Sequence, residues 1–287
     1  MDFAQLFRCA LTIVSPELNT RVCYRVKFGR PINLSTPNTL DEKILKLKLE
    51  EYGKSKLVKE CADKYRVRNY VRRIGCEEIL IPLLDSFDKV EEIDWDKLPD
   101  KFAMKWNFGC GYNIICSDKS KLDKKEVLKT MKRWGRSNYY LGYSEIQYKN
   151  VKKKILIESF LDDNSGKNPA DYKIYCFNGK PYCVMLCMDR ENDHAKYYFF
   201  DRDWNFLRIN KNGLEAPEDF TIVKPRGIEE AFQYAEKLCA PFKFVRVDLY
   251  IINGKVFFGE LTFTPSGGMD SSRLPETDLM FGEMLQI

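Results

Sequence analysis

The sequence predicts an α+β chain, on three observations. Helical periodicity dominates its first half, alternating strand-like runs dominate its second, and a strong hairpin signal, Asn253-Gly254, joins two of those runs. A doubly wound parallel sheet would alternate helix and strand throughout, and this chain does not. Its 287 residues are 44% hydrophobic and 14% aromatic, enough for one large core or two ordinary ones, which excludes disorder.

Taken in order, residues 39–52 read as an amphipathic helix with Leu40, Ile44, Leu45 and Leu49 on one stripe. A second helix should start near Asp63 and run to about Ile74, where Gly75 ends it. Ile79-Leu80-Ile81 reads as a short strand stopped by Pro82. Residues 101–106 form a strand that enters the glycine-bearing turn Asn107-Phe108-Gly109-Cys110-Gly111, and Tyr112 to Cys116 returns. A helix at about 124–136 carries Val127, Leu128, Met131 and Trp134 on one face. Residues 154–160 read as a buried strand and Asp162 to Pro169 as a polar loop. Strand-like runs at 171–177, 181–188 and 196–201 precede the clearest helix, 228–239. Residues 243–252 and 255–262 make the final hairpin. The acidic stretch with Pro82 and Pro99 is the expected domain boundary.

Several function classes are excluded by what the chain lacks. No window approaches 18 uninterrupted apolar residues, so no integral membrane segment is expected. Arg8 interrupts the apolar start before any signal-peptide core could form. Ten cysteines without a CxxC pair point to reduced thiols and a cytoplasmic setting. The single histidine, His194, gives little support to a Cys/His zinc site or a histidine-activated nucleophile. Charge is uneven: residues 41–73 carry a net +5, residues 75–100 a net −7 and residues 119–154 a net +9. Most single lysines belong on solvated helix faces, but two basic segments around an acidic one suit a nucleotide or polyanion. No zinc-finger, basic-zipper or RNP pattern accompanies the charge, so nucleic acid is not expected.

The chemistry concentrates in the last hairpin. In FVRVDLY (244–250), Val245, Val247 and Leu249 alternate with Arg246, Asp248 and Tyr250, so one face packs while the other displays a cation and a carboxylate. The returning strand FGELTFTP adds Glu260 and Thr262. Two carboxylates on neighbouring strands suit Mg²⁺, with Arg246 facing a phosphate; an Arg–Glu salt bridge on a sheet face is an equal alternative. A two-residue loop would put Asp248 and Glu260 on opposite faces, so shared metal binding needs a bulge or an odd loop. The expectation is a three-residue loop, Ile252-Asn253-Gly254, with Arg246 facing Glu260 and Asp248 facing Phe258. Lys105, just before the glycine turn, would sit beside backbone N–H groups as a phosphate cradle, and Lys64 offers a second cation.

Six segments in order then resemble one family. ADKYRVRNYV (62–71), FAMKWNFGCG (102–111), ILIESFL (155–161), DYKIYCFNGKP (171–181), FVRVDLYIINGKVFFGELTFTPSGG (244–268) and DLMFGEML (278–285) are similar to the TupA-like group of the ATP-grasp superfamily. That resemblance implies an ATP-grasp fold, in which two α+β subdomains clasp ATP, here with an N-terminal helical pre-domain. The implied segments are 1–60, 61–155 and 156–287. By carry-over, Lys64, Lys105 and the loop Asn107, Gly109 and Gly111 hold ATP phosphates. Glu158 to Leu161 meets adenine, Lys173 reaches the terminal phosphate, and Arg246 lies beside the reacting phosphoryl group. Asp248 and Glu260 carry Mg²⁺, with Thr262 a weak ligand where many ATP-grasp enzymes have Asn. The family's loop usually reads Asn-His-Gly-Ser-Gly, so Phe108 and Cys110 are departures.

The resemblance further implies an ADP-forming carboxylate–amine ligase that works on surface or capsular polysaccharide, with a saccharide carboxylate and an amine as substrates. A kinase on the same fold is the alternative. A glycosyltransferase is a third reading, with Asp201-Arg202-Asp203 as a DxD match.

Overall fold

The structure, a computed structural model, describes residues 3–163, 169–188 and 195–287. His194 and most of the polar loop after Asp162 lie outside them. Two antiparallel sheets organise the chain, and both are α+β layers. The smaller has strand order β1-β4-β2-β3, from β1 (Leu83–Phe87), β2 (Phe102–Trp106), β3 (Asn113–Cys116) and β4 (Ile155–Ser159). The larger has order β10-β9-β5-β6-β7-β8, from β5 (Asp171–Phe177), β6 (Lys180–Met188), β7 (Lys196–Phe200), β8 (Phe206–Leu207), β9 (Phe244–Ile252) and β10 (Lys255–Thr262).

Alternation decides which side chains reach the site. In β2, Phe102, Met104 and Trp106 are buried against Val127 and Met131 of the helix Lys124–Gly135, which frees Ala103 and Lys105 for the other face. In β5 and β9, Ile174, Val245, Val247 and Leu249 share a core with Ala231, Phe232, Ala235 and Leu238 of the helix Ile228–Cys239. Asp171, Lys173, Arg246 and Asp248 therefore point the opposite way.

Ten helices, α1 to α10 in chain order, run over the described residues: α1 (Phe3–Val14), α2 (Pro16–Phe28), α3 (Leu40–Leu47), α4 (Lys56–Ala62), α5 (Val67–Arg73), α6 (Lys124–Gly135), α7 (Tyr140–Tyr143), α8 (Lys211–Glu215), α9 (Ile228–Cys239) and α10 (Pro275–Met284). α3 starts at a capping box, Thr39 with Glu42, and runs on as a π-helical turn, Lys48–Tyr52. The helix expected from Asp63 starts later, because Asp63 is extended and its carboxylate caps the Tyr65 and Arg66 N–H groups. The expected strand at 79–81 is a 3₁₀ turn (Glu77–Ile79) and a single bridge from Leu80 to Phe258; the strand forms beyond Pro82. The acidic stretch thus contributes β1 to the smaller sheet rather than separating two units. β4 pairs with β1 and β2 in that sheet, and β5, from Asp171, pairs in the larger one.

The final hairpin also differs from expectation. Its loop is the two-residue turn Asn253-Gly254, with φ of 51° and 81°, and Ile252 pairs with Lys255. The extra residue is absorbed at Gly259, where the register steps from Phe258↔Leu249 to Glu260↔Asp248. A Cβ on Gly259 would lie 2.8 Å from the Asp248 carbonyl oxygen, so glycine permits the bulge.

Lys48 is fully buried and donates to the Tyr143 carbonyl at 2.7 Å. Burial lowers its pKa to about 8, against the pull of Glu145. The unfolded chain holds that proton more tightly, so unfolding takes up a proton between about pH 8 and 10.4, and stability from this group rises with pH there. Urea unfolding should show wild type gaining about 3 kcal/mol over Lys48→Met between those limits. An equal pH response in both would contradict the buried charge.

Candidate functional site

A cleft of about 770 Å³ opens between the inner faces of the two sheets. Lys64, Lys105, Gly109, Gly111, Glu158, Leu161, Lys173, Arg246, Asp248 and Glu260 all line it. The bulge at Gly259 sets Asp248 and Glu260 directly opposite each other on one face, with Lys173 the partner of Asp248 on the other side. Arg246 grips Asp248 with two hydrogen bonds of 2.7 Å, and Lys173 donates to it at 2.8 Å and to Asp171 at 2.5 Å. Lys64 donates to Glu260 at 3.0 Å and to the Gly109 carbonyl at 2.6 Å, which ties the glycine loop to the hairpin. Lys105 pairs with Glu158 at 2.6 Å, and Arg68 approaches the other oxygen at 3.3 Å.

This packing polarises the groups. Burial pushes Glu260 up, but Lys64, Lys173 and Arg246 outweigh it and hold the carboxyl far below its usual range. Burial pulls Lys173 down, and Asp248 and Asp171 raise it above the ordinary value. Burial raises Asp248, and Arg246 and Lys173 hold that rise back through the two-pronged bond and the neighbouring ion pair. The Arg246 guanidinium is raised well above its ordinary value once Asp248 overcomes burial.

Two expected residues stand elsewhere. Asn107 is fully buried behind the loop: its amide donates to the Lys152 carbonyl, its side-chain oxygen accepts from Lys154 N–H, and its own carbonyl accepts from Lys64 N–H. It anchors the loop and does not line the cleft. Thr262 donates to Glu260 at 2.8 Å and is met by Arg246 at 3.5 Å, so it orients the carboxylate without reaching the cleft wall. Gly109 has φ of 70°, and a Cβ there would strike the Tyr139 ring at 2.5 Å; the loop needs glycine at that point. Phe108 is buried between Trp106 and Tyr112, which explains an aromatic there in packing terms.

Sequence reasoning missed Arg68 and Asp171. Asp171 was legible, since it precedes Lys173 by two in a strand and so shares its face. Arg68 carried no such signal, because only the fold brings it across to Glu158. The Asp201-Arg202-Asp203 match is a turn in which the Asp201 carboxylate accepts from Asp203 N–H and Asn205.

Two antiparallel sheets facing across a cleft of cations and carboxylates are an ATP-grasp arrangement. Residues 42–286 match the TupA-like ATP-grasp family, and the chain belongs to it. The fold is similar to the L-amino acid ligase from Bacillus licheniformis, at 13% identity, a TM-score of 0.51, and coverage of 96% of this chain and 64% of that one. D-alanine–D-alanine ligase from Bacillus anthracis, complexed with ATP, aligns at 15% identity and a TM-score of 0.46, covering 78% of this chain and 61% of that one. The chain therefore spans less than two thirds of either protein's length. No curated protein matches it. Among the described residues no helix is long and apolar enough to cross a membrane, and no three His, Cys, Asp or Glu side chains cluster to hold a metal ion.

Proposed function

We propose that the chain is an ATP- and Mg²⁺-dependent carboxylate–amine ligase that amidates a uronic acid or similar saccharide carboxylate for surface or capsular polysaccharide. The observation that carries this reading is the opposition of Asp248 and Glu260 on one rigid sheet face, flanked by Arg246 and Lys173. Both carboxylates are held by cations, Asp248 by Arg246 and Lys173 and Glu260 by Lys64, so Mg²⁺ would bind there in exchange for those partners, with phosphate oxygens and water completing its shell. Bound there, Mg²⁺ supplies neutralisation of the phosphate charge.

In this reading Lys64, Lys105 and the N–H groups of the Gly109–Gly111 turn hold ATP phosphates, and Glu158 to Leu161 borders the adenine. Each of those lysines already pairs with a carboxylate, so nucleotide binding exchanges one anion for another rather than charging an apolar wall. Lys173 and Arg246 face the transferred phosphoryl group. In the same reading the first segment, 1–60, shapes the acceptor side, and 61–155 and 156–287 form the two halves of the clasp.

The substrate carboxylate oxygen attacks the γ-phosphorus and ADP leaves with the bridging electron pair. A free amine then attacks the acyl carbon, inorganic phosphate departs, and the amine's proton ends on that phosphate. Positioning and charge neutralisation suffice, and no nucleophilic side chain is required. The test is ADP release by the full chain with a uronate and a panel of amines. ADP should appear only when the carboxylate is present, and Lys105→Ala should raise the KM for ATP about tenfold or more. ADP release independent of any carboxylate would overturn the reading.

A further inference from the structure

α1 is built inside out. At about 100° per residue, Phe3, Leu6, Phe7, Ala10, Ile13 and Val14 fall within one arc of about 120°. That arc faces solvent, with Phe3, Ile13 and Val14 exposed by 85%, 73% and 77%. The polar face does the packing instead. Thr12 is buried and donates to the Leu141 carbonyl at 2.8 Å, Asn19 of α2 donates to Thr12 at 2.8 Å, and Arg8 lies over the Tyr143 ring. A helix that serves only its own core turns its apolar stripe inward. Seven of the fifteen large apolar side chains exposed among the described residues lie between Phe3 and Val26, which makes the stripe a patch rather than scatter.

Charge selects the occupant. Residues 1–30 hold five basic side chains and two acidic ones, and Glu17 is paired with Arg21 at 2.7 Å. Arg21 and Arg25 are exposed on α2, whereas Lys27 donates to the Met269 carbonyl at 2.6 Å and Arg30 pairs with Glu42 at 2.9 Å. Two copies meeting through this surface would set like charges together, whereas anionic lipid headgroups complement it. At 12 residues α1 is about 18 Å long, too short to span a bilayer but suited to lie in its interface. We propose that α1 docks on an anionic membrane surface, apolar arc in the headgroup–acyl boundary, with Arg21 and Arg25 of α2 at the headgroups. The same hairpin contributes Lys27 to the cleft, but the docking does not depend on the reaction assigned there.

The test is flotation of the full chain with vesicles of phosphatidylcholine alone or mixed with phosphatidylglycerol. Wild type should float with the mixed vesicles and bind neutral ones far more weakly. Phe7→Asp with Ile13→Asp should lower the partition at least about a hundredfold. Arg21→Gln with Arg25→Gln should lower it about thirtyfold. All four side chains are exposed, so both variants should melt with wild type. Failure of wild type to float, equal binding to neutral vesicles, or a wild-type dimer that the Phe7→Asp and Ile13→Asp pair dissociates would each overturn the proposal.

Discussion

Glu260→Gln should lower turnover about 10³-fold while the protein still melts within a few degrees of wild type. Its side chain is 30% exposed and its Lys64 partner 16%, so solvent screens much of what the three surrounding cations lend to stability. Lys64 also keeps its bond to the Gly109 carbonyl when the charge is lost. What the amide cannot replace is the negative charge opposite Asp248, where the proposed Mg²⁺ would sit. Steady-state ADP release and a melting curve check both halves, and near-normal turnover would remove Glu260 from the metal site.

Asp248→Asn should behave differently, since it damages fold and reaction together. Asp248 is buried and serves as counter-ion to Arg246 and Lys173, both of which are themselves nearly out of solvent. Removing its charge strands Arg246 and leaves Lys173 with Asp171 alone. The expected cost is about 3 kcal/mol, read as a melting point lower by about 5–10 °C, with turnover lost as well. From the sequence, this substitution looks like a purely functional one. The structure makes Asp248 a structural counter-ion also, and a melting point equal to wild type would contradict that.

The contrast shows where the sequence could be read and where it could not. The helix at 228–239 was legible to the residue because six apolar positions fall on one stripe and pack against β5 and β9. The strands at 102–106, 171–177 and 255–262 were legible from alternation. β1 was not: Leu84 is exposed and Asp85 and Ser86 break the pattern, so its strand identity comes from pairing with β4. A helical segment over residues 1–60 was expected from the resemblance, but the bounds of α1 and α2 within it were not placed. The need for an odd residue between Asp248 and Glu260 could be deduced, but not its place. Asn253-Gly254 takes the tight two-residue turn its residues favour, which pushes the irregularity to the next glycine, Gly259.

For the site, the charged residues on strand faces were legible because period-two alternation fixes their side. Asn107 was not, since its family role comes from a motif while its actual bonds run to Lys152, Lys154 and Lys64, residues far apart in sequence. The sequence offered an Arg–Glu salt bridge on the sheet face, whereas the structure pairs Arg246 with Asp248 and Lys64 with Glu260. That pairing makes the cleft nearly self-neutralised and ready to exchange partners when a polyanion enters.

In the proposed reaction the cleft activates a carboxylate by phosphorylation. The measurement that meets it most directly supplies the full chain with ATP, Mg²⁺, a uronate labelled with ¹⁸O in its carboxyl group, and a panel of amines, and follows released phosphate by phosphorus NMR. In a ligase one carboxyl oxygen leaves with the phosphate, so ¹⁸O-labelled inorganic phosphate should appear together with ADP. Unlabelled phosphate, or a phosphorylated product that accumulates stably without amine, would contradict that reaction.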